Sequence, residues 1–334
     1  MVDSGVSQMS GNAPSRSTVV PEAPVTRWFI AILFAIATGG ISASNMSGQS
    51  TPARPPVIDV HVHSTNTSPQ DALERMKALN IRYLFVSSLK ADLPIWATAL
   101  APTQFTAALV LPCDGGRAPI TGRPCWDGGA DLPDLMWLRG ELQAGRIKAL
   151  GEMSPQYEGM SPADRKLDPY WELAEEFDVP VGVHMGPGPP GAAYESSPVP
   201  FKSPKFSMAA SDPMLLEEVL LRHKRLRLVV MHAGWPRLES MLALLYAHPN
   251  VYVDLAALQA PYMVPRPAYN RFVQSLVENG FGKRMMFGSD FPNLVEPGID
   301  AIMGAGFLNA EQKADILCNN AARFLRLKAD TCVP

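Results

Sequence analysis

The chain has 334 residues, a formal net charge of −3 and 47% hydrophobic content. Those values suit a globular enzyme and exclude a disordered or fibrous protein. The balance is slightly acidic, and no run of Lys and Arg is interleaved with aromatics, so nucleic acid is excluded as a partner.

Residues 1–50 read as a leader. Met1 to Thr26 is polar and rich in Ser and Pro, Arg27 follows, and then comes an apolar run over 28–38 (WFIAILFAIAT) with small residues from Gly39 to Ser44. A charge, a short apolar core and a small-residue exit form the pattern of an export signal. The apolar run is short for a membrane span. The expectation is a periplasmic or extracellular protein if the leader is a signal peptide, with an uncleaved single-helix membrane anchor, or a cytoplasmic protein, as the alternatives.

From residue 56 a second pattern begins, and residues 51–334 are expected to form one domain. Short β-branched runs stand at 56–62, 81–87, 105–111, 147–152, 179–184, 226–232, 250–255 and 284–289. Helical patterns lie between them, among them 70–79, 132–144, 168–177, 213–222 and 235–246, and a last one spans 310–327. Apolar residues recur in these at three- and four-residue spacing, as in Leu215, Leu216, Val219 and Leu220. Alternating strands and helices imply parallel strands with right-handed crossovers. Eight units in about 280 residues fit a closed (β/α)8 TIM barrel. An open doubly wound sheet would carry a glycine-rich loop after its first strand, whereas this one ends in His-Val-His-Ser-Thr.

In that first strand, strict alternation would put Asp59, His61 and His63 on one face and Ile58, Val60 and Val62 on the other. The outer face of a barrel strand packs against helices and is apolar, so the polar face should point inward. The two histidines then sit at the strand's C-terminal end, where barrel active sites are built. His184, His232 and Asp290 close strands five, six and eight at the same rim, and Glu152 closes strand four. Convergent imidazoles and carboxylates are metal-binding chemistry. Lys148 lies near the start of strand four, at the wrong end to join them. Of the six histidines, His223 and His248 fall at helix ends and read as solvated or capping residues.

The loops after the strands should shape a substrate pocket. Tyr157 follows strand four, Met185 and Tyr194 belong to the Pro- and Gly-rich loop MGPGPPGAAY after strand five, and Trp235 follows His232 at a helix start with Pro236. Tyr157, Tyr194 and Trp235 are the candidate substrate contacts, each of which could equally be packing. Phe291 and Pro292 should fix the turn after Asp290. No arginine stands out as a carboxylate clamp; Arg117 and Arg123, after strand three, are weak candidates. The four cysteines form no CxxC pair. Cys113 and Cys125 flank a loop that a disulfide could close in an oxidising compartment, or they are two unrelated buried thiols.

The segments VIDVHVHS, GEMSPQYEGM, VPVGVHMGPGPPG, LVVMHAGWPRLESMLALL, VYVDLA, RMMFGSDFP and ILCNNAARFLRL resemble the amidohydrolase superfamily, in the amidohydrolase-related branch that includes aminocarboxymuconate-semialdehyde-type decarboxylases. The likeness covers about residues 56 to 327. It implies a metal-dependent hydrolase with His61, His63, His184 and Asp290 as ligands and Asp290 also taking a proton from water. His232 would be a catalytic group that orients water or polarises substrate, or a ligand to a second ion. Glu152 would bridge two metals, bind substrate, support a ligand histidine or pair with a loop arginine. The resemblance implies one divalent ion in preference to two, with Zn2+ best suited and Mn2+, Fe2+ or Co2+ able to replace it. Such an ion brings the pKa of bound water from about 15.7 to about 7. The expected substrate is a small molecule with an amide, ester or lactone carbon. The alternative is decarboxylation of an aromatic or unsaturated acid, and the third reading is a catalytically inactive binding protein. A homodimer is the base-rate expectation for assembly.

Overall fold

The computed structural model describes residues 54–196 and 202–333. The leader expected over residues 1–50, and with it the export and anchor readings, lies outside them. Among the described residues no helix is long and apolar enough to cross a membrane.

Eight parallel strands follow one another around a barrel in chain order. They are β1 (Val57–His63), β2 (Ile81–Ser88), β3 (Phe105–Leu111), β4 (Ala149–Met153), β5 (Pro180–His184), β6 (Arg227–Met231), β7 (Val251–Asp254) and β8 (Met285–Met286). Helices α1 (Pro69–Leu79), α2 (Leu93–Ala99), α3 (Leu135–Gln143), α4 (Asp168–Glu176), α5 (Leu215–Arg222), α6 (Leu238–Ala247), α7 (Arg266–Glu278) and α8 (Val295–Met303) alternate with them. This is the expected (β/α)8 barrel. Local chemistry sets several helix starts: the Ser68 hydroxyl accepts the Asp71 N–H at 3.1 Å, and the Asp134 carboxylate accepts the Trp137 N–H at 2.7 Å.

Two apolar layers hold the barrel. Val57, Val62, Leu84, Val86, Val181, Val230 and their neighbours face the helices, while Ile58, Val60, Tyr83, Phe85, Met231 and Met286 fill the interior. The first strand does not keep the strict alternation expected of it. Its pairing with β2 shifts between Asp59 and Val62, with Asp59 opposite Leu84 and Val62 opposite Val86, both helix-facing. The bulge lets Ile58 and Val60 fill the interior while His61 and His63 still reach the rim. Asp59 is therefore on the outward side, fully buried, where its carboxylate accepts the N–H groups of His61 at 3.1 Å and Ser289 at 2.9 Å.

The eighth strand is shorter than expected because its end is claimed by other partners. The Phe287 N–H donates to Ile316 O at 2.8 Å, and Phe287 O accepts the Val60 N–H at 3.1 Å. With the Asp290 N–H donating to His61 O at 2.8 Å, these bonds seam the last strand to the first. The helix expected to begin at Trp235 begins at Leu238, because Trp235 and Arg237 donate to His232 O and Gly234 O in a tight turn. The terminal helix is α9 (Ala310–Ala314) and α10 (Asn320–Leu325), joined by a π-helical turn at Asp315–Asn319.

The Cys113–Cys125 bridge is formed, and a second, unanticipated one joins Cys318 to Cys332. His248 caps α6, as expected of it. His223 caps α5 but is buried, not solvated, with Nδ1 3.2 Å from a Glu175 carboxylate oxygen.

Candidate metal centre

Polar residues at or just beyond the C-terminal ends of several barrel strands meet at one rim. His61 and His63 come from β1, Glu152 from β4, His184 from β5 and Asp254 from β7; His232 directly follows β6, and Asp290 lies beyond β8. Close packing of small residues makes room for the rings. A Cβ on Gly288 would come within 2.8 Å of His61 Cβ, and one on Gly186 within 2.9 Å of the His232 ring. His232 and Asp290 both hold left-handed backbone, with φ of 56° and 67°. For non-glycine residues that conformation costs on the order of 1–2 kcal/mol each, a strain typical of functional sites.

Of three groups of donor atoms within 4.8 Å of one another, that of His61, His232 and Asp254 is joined by hydrogen bonds, and the other two form adjoining triads. In the first, His63 Nε2 is 3.1 Å from His61 Nε2 and 3.2 Å from Asp290 Oδ1. In the second, His184 Nδ1 is 2.5 Å from Glu152 Oε1 and 3.2 Å from His232 Nε2. Glu152 lies between them, its Oε2 3.4 Å from His63 and its Oε1 3.6 Å from His232. All five residues proposed as ligands from the sequence thus converge, with His232, but His184 groups with Glu152 and His232 and not with the β1 pair.

Asp254 was not singled out in the sequence. It is fully buried, and its Oδ2 accepts the Nδ1–H of His61 at 3.0 Å. Its Oδ1 accepts the N–H groups of His232 at 2.9 Å and Ala256 at 3.0 Å. The signal was present, since Asp254 closes an apolar strand as the other site residues do. His232 Nδ1–H donates to Ala256 O at 2.9 Å. Both bonds fix the tautomer and turn an Nε2 lone pair toward the cluster.

Electrostatically the cluster couples imidazoles to carboxylates in a buried setting. Burial would lower the pKa of His61, but Asp254, Glu152 and Asp290 hold it well above the usual histidine value. Burial likewise opposes the shift of His232, yet Glu152 and Asp290 raise it. Glu152 and Asp290, despite burial, are held below the usual carboxylate range by the surrounding imidazoles. Burial keeps His184 low, against the pull of Glu152. Asp59, by contrast, is pushed up to about 6 by its burial. Two imidazole Nε2 atoms 3.1 Å apart, one with its Nδ1 committed to donation, share either a proton or a cation between them. Among the described residues no Lys or Arg pairs with Glu152, Asp254 or Asp290. The donor set therefore fits a divalent metal ion.

A cavity of about 770 Å³ opens above the triads. Tyr157, Tyr194 and Trp235 all line it. Tyr157 is 4% exposed, with its ring edge-on to His184 at 5.4 Å and to Phe206 at 5.0 Å. Burial first, then the Glu152 and Asp290 charges, raise its phenol well above the usual value, so it is a neutral donor. Neither weak anion-binding candidate lines the cavity. Arg123 is held by both oxygens of Asp92, and Arg117 donates to Gly122 O.

No curated protein matches the chain in sequence. A TIM-barrel protein from Bordetella bronchiseptica is similar in structure, with a TM-score of 0.58 and 17% identity over 81% of this chain and 99% of that one. So are a putative 2-pyrone-4,6-dicarboxylic acid hydrolase from Pseudomonas putida (0.56, 15%, 83% and 99%) and a 5-carboxyvanillate decarboxylase from Sphingomonas paucimobilis (0.52, 14%, 82% and 99%). At these identities the likeness speaks to the fold. The model of the amidohydrolase family matches residues 58–327. That match runs from the first strand through the terminal helix, and by it the chain belongs to the amidohydrolase family.

Proposed function

We propose that the protein is a metal-dependent hydrolase of a small-molecule amide, ester or lactone. The observation that carries the choice over decarboxylation is the cavity wall: among the described lining residues there is no Lys or Arg to clamp a carboxylated substrate. Neighbours in fold are named for hydrolysis and for decarboxylation alike, so the choice rests on this chain's own residues.

His61, His63 and Asp290 would hold one ion and His184 with His232 a second, while Glu152 offers an oxygen to each triad. This grouping supports two ions over the single one expected from sequence, and a ligand role for His232. Zn2+ suits the donors best, and Mn2+, Fe2+ or Co2+ are compatible with them. When bound, the metal supplies Lewis acidity, which acidifies water and polarises a carbonyl. Asp290 is a carboxylate at neutral pH, and its Oδ1 is turned to His63 and His61. Its Oδ2 is the atom to take the proton of the attacking water and pass it to the leaving amine or alkoxide. Tyr157 contributes a neutral O–H to the substrate or to the charge that develops on its oxygen.

The test is elemental analysis of the purified full chain with His61→Ala and Asp290→Asn, beside an ester, lactone and amide panel with carbon dioxide detection. Two equivalents of metal and hydroxy-acid or amine release without carbon dioxide are expected. Full metal content in both variants, or carbon dioxide as the product, would refute the reading.

A further inference from the structure

The carboxylates and imidazoles that line the cavity are those of the metal cluster: His63, Glu152, His184, His232 and Asp290. The wall above them is built from Leu89, Val110, Ile120, Leu258, Met263 and Val264. At the mouth stand Tyr194, 69% exposed, and Tyr262, 74% exposed, with Met208 beside them at 36%. Large apolar side chains rarely stay in water together without a ligand to receive. The nearby cations are engaged elsewhere: Arg123 with Asp92, Arg237 with Asp212 and Lys205 with Asp114. A charged group carried into this wall would lose its water and meet no Lys or Arg among the described lining residues, which is a steep cost. Thr65, Asn66, Thr121, Ser154 and Tyr157 are the uncharged polar groups among the rest of the lining. The Tyr157 hydroxyl makes no hydrogen bond to another described residue, although the side chain is almost wholly buried and packed between His184 and Phe206. Tyr157 lines the cavity, where its hydroxyl is open to an acceptor on a ligand.

We propose that the substrate is an uncharged carbonyl compound whose non-reacting part is an extended apolar group, alkyl or aryl, seated against this wall, with the Tyr157 hydroxyl donating to an oxygen at the reacting end. The proposal rests on the hydrolase reading for which end lies at the floor. It goes beyond that reading by fixing the chemistry of the rest of the molecule. A cavity of about 770 Å³ takes a drug-sized molecule, far larger than the reacting group alone.

The test uses carbonyl ligands that cannot be hydrolysed, so binding is read apart from turnover. 2-Alkylcyclopentanones from butyl to octyl are titrated into the metal-loaded full chain by calorimetry, beside one whose alkyl chain ends in a carboxylate. Affinity should rise about two- to fourfold per methylene, the upper figure being full burial. The carboxylated ligand should bind at least tenfold more weakly than its neutral match. Met208→Arg, or Thr121→Lys should the first variant not fold, should raise affinity for the carboxylated ligand alone. Tyr157→Phe should weaken the ketones about three- to tenfold and leave the matching alkylcyclopentanes unchanged. A flat chain-length series, or carboxylated binding equal to neutral, overturns the proposal. Equal losses for ketone and hydrocarbon in Tyr157→Phe remove the hydroxyl from it. Binding as expected with no hydrolysis of the corresponding lactones would sink the hydrolase reading and leave the ligand class standing.

Discussion

Replacing Asp254 by Asn changes one atom of the carboxylate, and the consequence can be worked out from its three hydrogen bonds. Oδ1 accepts two backbone N–H groups, from His232 and Ala256, and Oδ2 accepts Nδ1–H of His61. An asparagine has one acceptor oxygen and one donor NH2 to place in the same two positions. If the amide oxygen faces His61, the NH2 meets two backbone donors, and two bonds are lost. If the oxygen stays with the N–H pair, only His61 must adapt, so this is the orientation adopted. His61 then accepts at Nδ1 and carries its proton on Nε2, where it blocks the atom 3.1 Å from His63 Nε2. Losing a partner of this kind costs a metal site about 10- to 100-fold in affinity, or about 1.4–2.8 kcal/mol. The backbone contacts survive, so the metal-free variant should melt within a few degrees of the parent. The assay is competition with a chromogenic chelator, with melting curves of both metal-free proteins. Unchanged metal affinity in Asp254→Asn would refute the tautomer argument, and an equal loss of stability without metal would make Asp254 a packing residue. Asp254→Ala should do worse on both counts, because it leaves two buried N–H groups unpaired.

Glu158 offers a pH test away from the metal cluster. Its side chain is 5% exposed, and burial with the nearby Asp114 charge pushes its pKa up to about 7, against the pull of Lys205. A folded pKa above the unfolded one favours the fold below the unfolded value, and that advantage is lost as pH rises through 7. Glu158→Gln should therefore be neutral near pH 5 and stabilising by on the order of 1–2 kcal/mol at pH 8, screening by solvent included; urea midpoints that differ equally at both pH values would contradict this. Gly288→Ala places a methyl 2.8 Å from His61 Cβ and 3.2 Å from Ala256 Cβ, and should cost about 1–3 kcal/mol of stability along with metal occupancy. Melting curves and elemental analysis check it, and a fully loaded, equally stable variant would show the rim can give. Reduction of Cys113–Cys125 frees a loop whose Ala118, Pro119, Ile120 and Thr121 line the cavity. It should cost about 3 kcal/mol and raise KM, as read from kinetics with and without reductant in a Cys318→Ser, Cys332→Ser background; an unchanged KM would detach the loop from the substrate.

What the sequence revealed followed from periodicity. Apolar runs ending in His61, His63, Glu152, His184, His232 and Asp290 were enough to place six polar side chains at one rim of a barrel. The grouping of those residues was not legible, because it depends on the neighbouring positions of β4, β5 and β6 around the rim and on which ring nitrogen each histidine presents. Asp59 faced the other way because a bulge breaks the period of two, and nothing in Ile-Asp-Val-His-Val-His marks where. The shortness of β8 was hidden for a similar reason: Phe287 bonds to residues distant in the chain, Val60 and Ile316. Asp254 could have been found by the rule that found the others.

The seam between the first and last strands has a bearing on how the metal arrives. Asp290 donates its N–H to His61 O, so one of the bonds that close the barrel joins two members of one triad. That triad draws on residues 61, 63 and 290, and Phe287 is tied to Ile316 further on. The triad of His61, His63 and Asp290 cannot assemble until Asp290 has been made and its N–H has reached His61 O. Capture of an ion by this triad therefore follows closure of the barrel and cannot precede it.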